Sequence, residues 1–408
     1  MPDRILTTHA GSLPRSEELV ALNLKRGRGN LDDEAGYQEK LRQGVADVVA
    51  RQREVGIDWV NDGEYGHSMG HRYDYGSWWT YVFQRLGGLE LVDAGVLDIP
   101  QAPPKEGHIA LASFAERRDW QQFAEAYGDP SSGAALPNPD IGHGAPVCRG
   151  PITYTGQEAV RNDIANFKAA LEAAGIEDGF LNSVAPGSCA RFGNEYYDSD
   201  EELIYACADA MREEYTAIIE SGLMLQLDDP AIAENWDQIN PAPSVEDYTR
   251  FTMVRVEALN HAIRDLPTER IRFHLCWGSW HGPHVTDIPM RDIVDVLLKI
   301  NAGAYSFEAA NVRHEHEWRV WHDVKLPEAK RILPGIVSHS TNVVEHPELV
   351  AERIVRFAEG VGPENVVAST DCGLGGRVHP QIAWAKLQSL AEGAALASRQ
   401  LFRRAAAA

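Results

Sequence analysis

Short apolar segments rich in β-branched residues recur along the chain, and segments with helical spacing of apolar residues separate most of them. The pattern predicts nine strands: Ile5–His9, Ile57–Asp62, Pro151–Thr155, Gly179–Val184, Leu223–Asp228, Ile271–Cys276, Ala304–Glu308, Arg331–Ser338 and Val366–Thr370. It predicts amphipathic helices that include Glu158–Ala174, Asp200–Ser221, Val245–Asp265, Asp292–Ile300 and Pro347–Gly360. Strands alternating with such helices are typical of a mostly parallel sheet. We therefore predict one α/β domain over residues 1–400, a (β/α)8 TIM barrel with one predicted strand outside it.

One long segment, from about residue 72 to 149, interrupts this alternation. It is rich in proline and glycine and contains an aromatic cluster, Tyr73, Tyr75, Trp78, Trp79, Tyr81 and Phe83. We predict an insertion after the second strand. It could form the core of a small subdomain, a dimer contact, or a lid over the barrel mouth, where loops that follow the strands lie. At the other end of the chain, residues 401–408 are predicted to be a disordered tail.

The formal net charge of −22 argues against nucleic acids and anionic membranes as partners, because both need a basic surface. The sequence lacks a transmembrane-length apolar run, and its first residues do not resemble a signal peptide. Its five cysteines are scattered and odd in number, which favours free thiols and a cytoplasmic protein. The oligomeric state stays open, with a homo-oligomer included.

Four residues of types suited to zinc lie at the ends of three of the predicted strands, or just after them. His274 and Cys276 are two apart on one strand, so their side chains point to the same side. Glu308 ends the next strand, and Cys372 follows the last one. Imidazole, thiolate and carboxylate all bind Zn²⁺ in tetrahedral sites. The position of these residues at one rim of a barrel predicts a zinc site, although buried cysteines and a solvated carboxylate would give the same letters.

Other histidine pairs and one serine motif offer competing chemistry. The pairs are His67 with His71, His281 with His284, and His314 with His316. The first pair lies in a glycine-rich loop, the second is predicted to line the barrel mouth, and the third lies in a charged run that is typical of a solvated loop. The motif GHSMG around Ser68 matches a nucleophile elbow, but it lacks a strand directly before it and a helix directly after it.

The chain resembles the cobalamin-independent methionine synthase family through eight motifs in the family's order. These are TTHAGSLPR near the start, DGE at Glu64, GPIT at Gly150–Thr153, QLDDPA at Asp228, HLC at His274–Cys276, FEAA at Glu308, SHSTNV at His339, and DCGLGGR after Thr370. The resemblance implies that His274, Cys276, Glu308 and Cys372 bind zinc. It also implies that His339 is the acid during methyl transfer, and that Ser12, Glu64 and Asp228 hold the amino-acid thiol.

The activity implied by this resemblance is transfer of a methyl or alkyl group to a thiol, foremost homocysteine to give methionine. The donor is less certain, because YTGQEAV replaces the tryptophan-bearing stretch that follows GPVT in the folate enzymes. Methylated folate and a methylated corrinoid protein are both open. Two alternatives remain: epoxide opening by coenzyme M, whose sulfonate would need Arg15, Arg72, Arg191 or Arg377, and a non-catalytic zinc-binding barrel.

Overall fold

The computed structural model of the chain describes residues 3–27, 29–67, 77–92, 109–134 and 145–405. Its strands are β1 Leu6–Thr7, β2 Leu86–Val92, β3 Ala145–Tyr154, β4 Phe180–Val184, β5 Gly193–Asn194, β6 Met224–Asp228, β7 Ile271–Leu275, β8 Ala304–Phe307, β9 Arg331–Val337 and β10 Val367–Thr370. Its α-helices are α1 Glu17–Gly27, α2 Glu34–Glu54, α3 Ser77–Thr80, α4 Arg118–Gln122, α5 Ala124–Gly128, α6 Gln157–Ala174, α7 Pro186–Cys189, α8 Asp200–Glu220, α9 Val245–Ala262, α10 Met290–Leu297, α11 Val320–Asp323, α12 Pro347–Val361 and α13 Pro380–Ala405.

Seven strands form one parallel sheet in the order β1-β10-β9-β8-β7-β6-β4. Helices lie between most of its sequence-adjacent strands; α8 links β4 to β6 and α12 links β9 to β10. A parallel sheet needs such crossover connections, and the predicted helices supply them. The α/β fold class predicted from the alternation of segments is therefore confirmed.

The segment 57–62 occupies the eighth position, between the two ends of this sheet. Val60 forms a parallel bridge with Gly179, next to β4. On its other side, the Trp59 amide donates to the Thr7 carbonyl of β1 at 3.1 Å. The sheet thus curls into a barrel of seven strands and one extended segment, 57–62, which has too few ladder hydrogen bonds to count as a strand.

Inside the barrel, side chains near the amino ends of the strands and of segment 57–62 form one apolar layer. It consists of Leu6, Trp59, Phe180, Met224, Ala304, Leu333 and Val367. β7 contributes Arg272, whose guanidinium carbon lies 3.8 Å from the Phe180 ring centroid. That guanidinium donates to Thr8 Oγ1 and to the His9 carbonyl, both at 2.8 Å. This end of the barrel is filled, which leaves the carboxyl ends of the strands to form the site.

The predicted strand Pro151–Thr155 is the one that lies outside the barrel. It belongs to β3, which pairs antiparallel with β2 and parallel with β5 in a separate three-stranded sheet. The insertion that follows segment 57–62 therefore extends beyond the predicted boundary near residue 149. The sequence left open which of the nine strands this would be, because the local pattern of β3 matches that of a barrel strand and only its distant partner β2 distinguishes them.

The aromatic cluster of the insertion packs partly against the barrel. Trp79 and Tyr81 are buried in the main core, and Trp78 and Phe83 pack against it. Tyr73 and Tyr75 lie outside the described residues. These contacts favour the subdomain-core interpretation for this part of the insertion.

The predicted tail 401–408 differs from the structure over its first residues, because α13 continues to Ala405. Leu401 and Phe402 pack against the core, and this burial stabilises the last turns of the helix. Residues 406–408 lie outside the described part. None of the described helices combines the length and the apolar content that a membrane span needs.

Candidate metal and thiol site

Three of the four predicted zinc ligands meet at the carboxyl ends of β7 and β10. The Sγ atoms of Cys276 and Cys372 are 4.0 Å apart. One ring nitrogen of His274 completes a group in which all ligand atoms lie within 4.8 Å of one another. His274 and Cys276 are buried, while Cys372 is partly accessible. The alternation of side chains along β7 explains why His274 and Cys276 face the same point.

A hydrogen bond to β8 orients the His274 ring. Its Nδ1 lies 2.9 Å from the Ser306 hydroxyl of β8. Its Nε2 is buried and has no hydrogen-bond partner among the described residues. An unpaired buried ring nitrogen destabilises a protein, so its presence beside two thiols indicates a site that a ligand completes.

Glu308 lies beside this group rather than within it. Its carboxylate accepts the Trp277 amide at 3.0 Å and the Asn311 side-chain amide at 2.7 Å. It belongs to a second group, with His339 and Asp371, whose ligand atoms lie within 4.8 Å of one another. Burial raises the pKa of Glu308 to about 7. The predicted set of four thus appears as a compact set of three with an adjoining carboxylate.

Asp371 organises the loop that carries Glu308, a role the sequence analysis missed. Its carboxylate accepts three consecutive backbone amides, those of Ala309, Ala310 and Asn311, at 2.7, 2.7 and 2.8 Å. Asp371 directly follows β10, and its hydrogen bonds therefore link the end of β10 to the loop after β8. An acidic residue next to a predicted ligand was the available signal, but its partners are 60 to 62 residues away in sequence.

Two predicted substrate carboxylates, Glu64 and Asp228, are buried close enough together for the charge of Asp228 to act on Glu64. Asp228 accepts from the side chains of Asn182 at 2.9 Å and Gln226 at 2.8 Å. Burial, followed by the charge of Asp228, holds the pKa of Glu64 well above its usual range. Burial also raises the pKa of Asp228. Two buried acids in this arrangement favour a cation between them.

Close backbone packing positions Glu64 and Ser12. Gly11 has φ 145°, and a Cβ built on it would lie 2.2 Å from Glu64 Oε1. A Cβ on Gly373 would lie 2.4 Å from the Ser12 hydroxyl. A side chain at Gly11 or Gly373 would therefore displace the Glu64 carboxylate or the Ser12 hydroxyl from its observed position.

His339 lies on the outer side of the group, against a cavity of about 460 Å³. The loop after β7 and the insertion also line this cavity, through Trp280, His284, Ala126 and Ser132 among others. Burial lowers the pKa of His339 to about 3. The imidazole ring is therefore neutral at pH 7, whereas a histidine that donates its proton as a general acid would be a charged imidazolium.

The competing residues are only partly described. His314 is held by Asp287 and Glu317, at 3.1 and 2.9 Å, whereas its predicted companion His316 is exposed. His281 and His284 line the cavity, as the sequence predicted. His71 and Ser68, and therefore the nucleophile motif, lie outside the described residues.

The arginines proposed for a sulfonate have different partners where the structure describes them. Arg191 is buried on Glu234 and Gln238, at 2.8 and 2.7 Å. Arg15 donates to the Glu64 carbonyl. Arg72 lies outside the described residues. Of the group, Arg377 is close enough to His339 to lower its pKa.

A protein-family model described as the catalytic domain of cobalamin-independent synthase matches residues 145–395, more than half of the chain. The chain belongs to this family. The matched range contains Asp228, His339 and the four predicted zinc ligands. Ser12 and Glu64 precede it.

Curated relatives include methionine synthases of Thermococcus kodakarensis and Saccharolobus solfataricus, each 26% identical over 211 and 214 residues. The alignments cover 52% of this chain and 54% and 55% of the two relatives, so the chain spans about half the length of the curated relatives it matches. A solved B12-independent methionine synthase of Shewanella sp. W3-18-1, in complex with selenomethionine, superposes with a TM-score of 0.69. It is 18% identical, over 98% of this chain and 99% of that one, and shows a shared fold.

Proposed function

We propose that the protein is a zinc-dependent methyltransferase that transfers a methyl group to the thiol of homocysteine to give methionine. His274, Cys276 and Cys372 would hold the zinc, with Glu308 as the fourth ligand. The observation that carries this proposal is the convergence of one buried His274 ring nitrogen and two thiols, whose ligand atoms lie within 4.8 Å of one another. Family membership supports the reaction class.

The described ligand atoms fit zinc in chemistry and spacing. Two sulfurs bound at about 2.3 Å to one tetrahedral ion lie about 3.8 Å apart. The Sγ atoms of Cys276 and Cys372 are 4.0 Å apart, close to that value. The hydrogen bond between Ser306 and Nδ1 orients the His274 ring, as hydrogen bonds to the other ring nitrogen do for histidines that bind zinc.

Zinc, when bound, would supply the Lewis acidity that keeps a thiol ionised at neutral pH. The chain's own residues would select and orient the thiol. Glu64 and Asp228 would bind the ammonium group of homocysteine, and Ser12 would donate to or accept from its polar end. Burial of both carboxylates strengthens this recognition, because charge-assisted hydrogen bonds gain in a water-poor site.

The donor would enter through the cavity beside His339. This cavity has room for a small methyl donor or for the reactive end of a larger one. His339 would hydrogen-bond the departing atom from a neutral ring, a role that a buried imidazole can perform. Methylated folate and a methylated corrinoid protein are the two donor classes that we propose.

Replacing Glu64 by glutamine should weaken homocysteine binding by about 1.5–3 kcal/mol, the usual contribution of a hydrogen bond to a charged group. Coenzyme M carries a sulfonate that two carboxylates repel, so its binding should stay unchanged or improve slightly. Calorimetric titration of the zinc form with both thiols measures the difference. Tighter binding of coenzyme M than of homocysteine by the unmodified protein would replace this proposal with epoxide opening.

A further inference from the structure

The loop that follows segment 57–62 carries Glu64 and, three residues later, His67. Glu64 adopts a left-handed conformation with φ 60°, and the His67 amide donates to the Glu64 carbonyl at 3.1 Å. Arg15 donates to the carbonyls of both residues. Tyr65 anchors the loop through a 2.6 Å hydrogen bond to the Pro14 carbonyl. The two side chains are thus held in a fixed relation.

His67 and Glu64 turn unsatisfied polar atoms toward each other. His67 Nδ1 and Glu64 Oε2 are 3.8 Å apart, and neither has a hydrogen-bond partner among the described residues. The two residues are only 5% and 3% exposed. A separation of 3.8 Å is too long for a direct hydrogen bond. Two unpaired buried polar atoms that face one gap indicate a ligand group that bonds to both.

A nitrogen with two or more hydrogens suits this gap. Charge-assisted N–H···O and N–H···N contacts are about 2.8–2.9 Å long, and one nitrogen at that distance from both atoms sits at the apex of a compact triangle. Burial, with smaller effects of Arg85 and Arg15, holds the pKa of His67 well below its usual range. The ring is therefore neutral, and with its proton on Nε2 its Nδ1 accepts a hydrogen bond.

The insertion holds the His67 ring in place. Tyr81 stacks on it with the centroids 3.9 Å apart and the planes 4° from parallel. The Tyr81 hydroxyl donates to Glu214 at 2.9 Å, and Arg85 donates to the same carboxylate at 2.9 Å. A ring clamped in this way presents its Nδ1 at one position rather than at several.

We propose that His67 is a specificity-determining binding residue, which accepts one N–H of the acceptor's primary ammonium group while Glu64 accepts another. This inference rests on the proposed function and adds a residue to it. It also gives the insertion a role in the choice of thiol, because Tyr81, which belongs to the insertion, holds the His67 ring in place.

Two substitutions separate hydrogen bonding from ring packing. His67→Phe keeps a ring to stack on Tyr81 and removes the acceptor atom. His67→Asn removes the ring and can place an amide oxygen where Nδ1 stood. Each zinc-loaded variant is titrated calorimetrically with homocysteine and with 4-mercaptobutanoic acid, which is homocysteine without its amine. Thermal unfolding and zinc content establish that both variants are intact.

The expected result is that His67→Phe weakens homocysteine binding at least about tenfold and leaves 4-mercaptobutanoic acid unchanged, while His67→Asn retains most of the affinity. The inference is overturned if His67→Phe binds homocysteine as the unmodified protein does, or if His67→Asn is the more damaging change. An unmodified protein with no preference for homocysteine over 4-mercaptobutanoic acid would overturn the proposed substrate itself, and this inference with it.

Discussion

Serine in place of Cys276 or Cys372 is expected to remove zinc from the protein and to abolish methyl transfer, while the barrel stays folded. Each substitution replaces a soft thiolate ligand by a hydroxyl that binds zinc poorly. The two sulfurs lie at the strand ends, away from the filled amino end of the barrel, so their loss removes little packing. Elemental analysis gives the zinc per chain, and circular dichroism follows unfolding.

Cys148→Ser is the matched control for this experiment. Cys148 is also buried, but it lies on β3 of the separate sheet, and its thiol donates to the Gly150 carbonyl at 3.2 Å, which a serine hydroxyl can also do. This variant should keep its zinc and its activity. A full complement of zinc in both Cys276→Ser and Cys372→Ser would refute the ligand assignment.

The substitution His339→Asn should slow methyl transfer by about 10²–10³-fold, the usual loss when one hydrogen-bond donor aimed at the charge on a departing atom is removed. The residue borders the donor cavity and the Glu308 group, so its ring can reach the departing atom. Zinc content and homocysteine affinity should change little. Single-turnover rates with a saturating donor measure the chemical step separately from binding.

A methylsulfonium donor distinguishes chemistry from structure at His339. Its leaving group departs as a neutral thioether and needs no proton, so the variant should be much less impaired with it. Ser340→Ala removes a neighbouring hydroxyl from the same cavity wall and should have a small effect with either donor. Equal impairment of His339→Asn with both donors would assign His339 a structural role.

Most barrel strands were predictable because each is marked by its own short run of apolar, β-branched residues. The strands that became β4, β6, β7, β8, β9 and β10 were predicted close to their observed bounds. The segment 57–62 was predicted as a strand, yet it joins the barrel through a single bridge and a few hydrogen bonds. The peripheral strand β3 could not be distinguished, since its partner β2 is distant in sequence.

The site was predictable where the chemistry lies in one residue and its strand position, as for His274 and Cys276. It was not predictable where the role depends on geometry between distant loops. Asp371 became visible only through its three amide contacts, and His67 only through the gap it shares with Glu64. Likewise, burial of His339 depends on several elements packed around it, so its neutral state could not be inferred from the motif.

X-ray absorption at the zinc edge tests the central claim most directly, because it counts the sulfur atoms bound to the metal. The account predicts two sulfurs in the zinc-loaded protein, from Cys276 and Cys372, with the remaining ligands being nitrogen or oxygen. Addition of homocysteine should raise the number of sulfurs to three. A count that stays at two while calorimetry shows that homocysteine is bound would contradict the proposal that this protein activates its thiol on zinc.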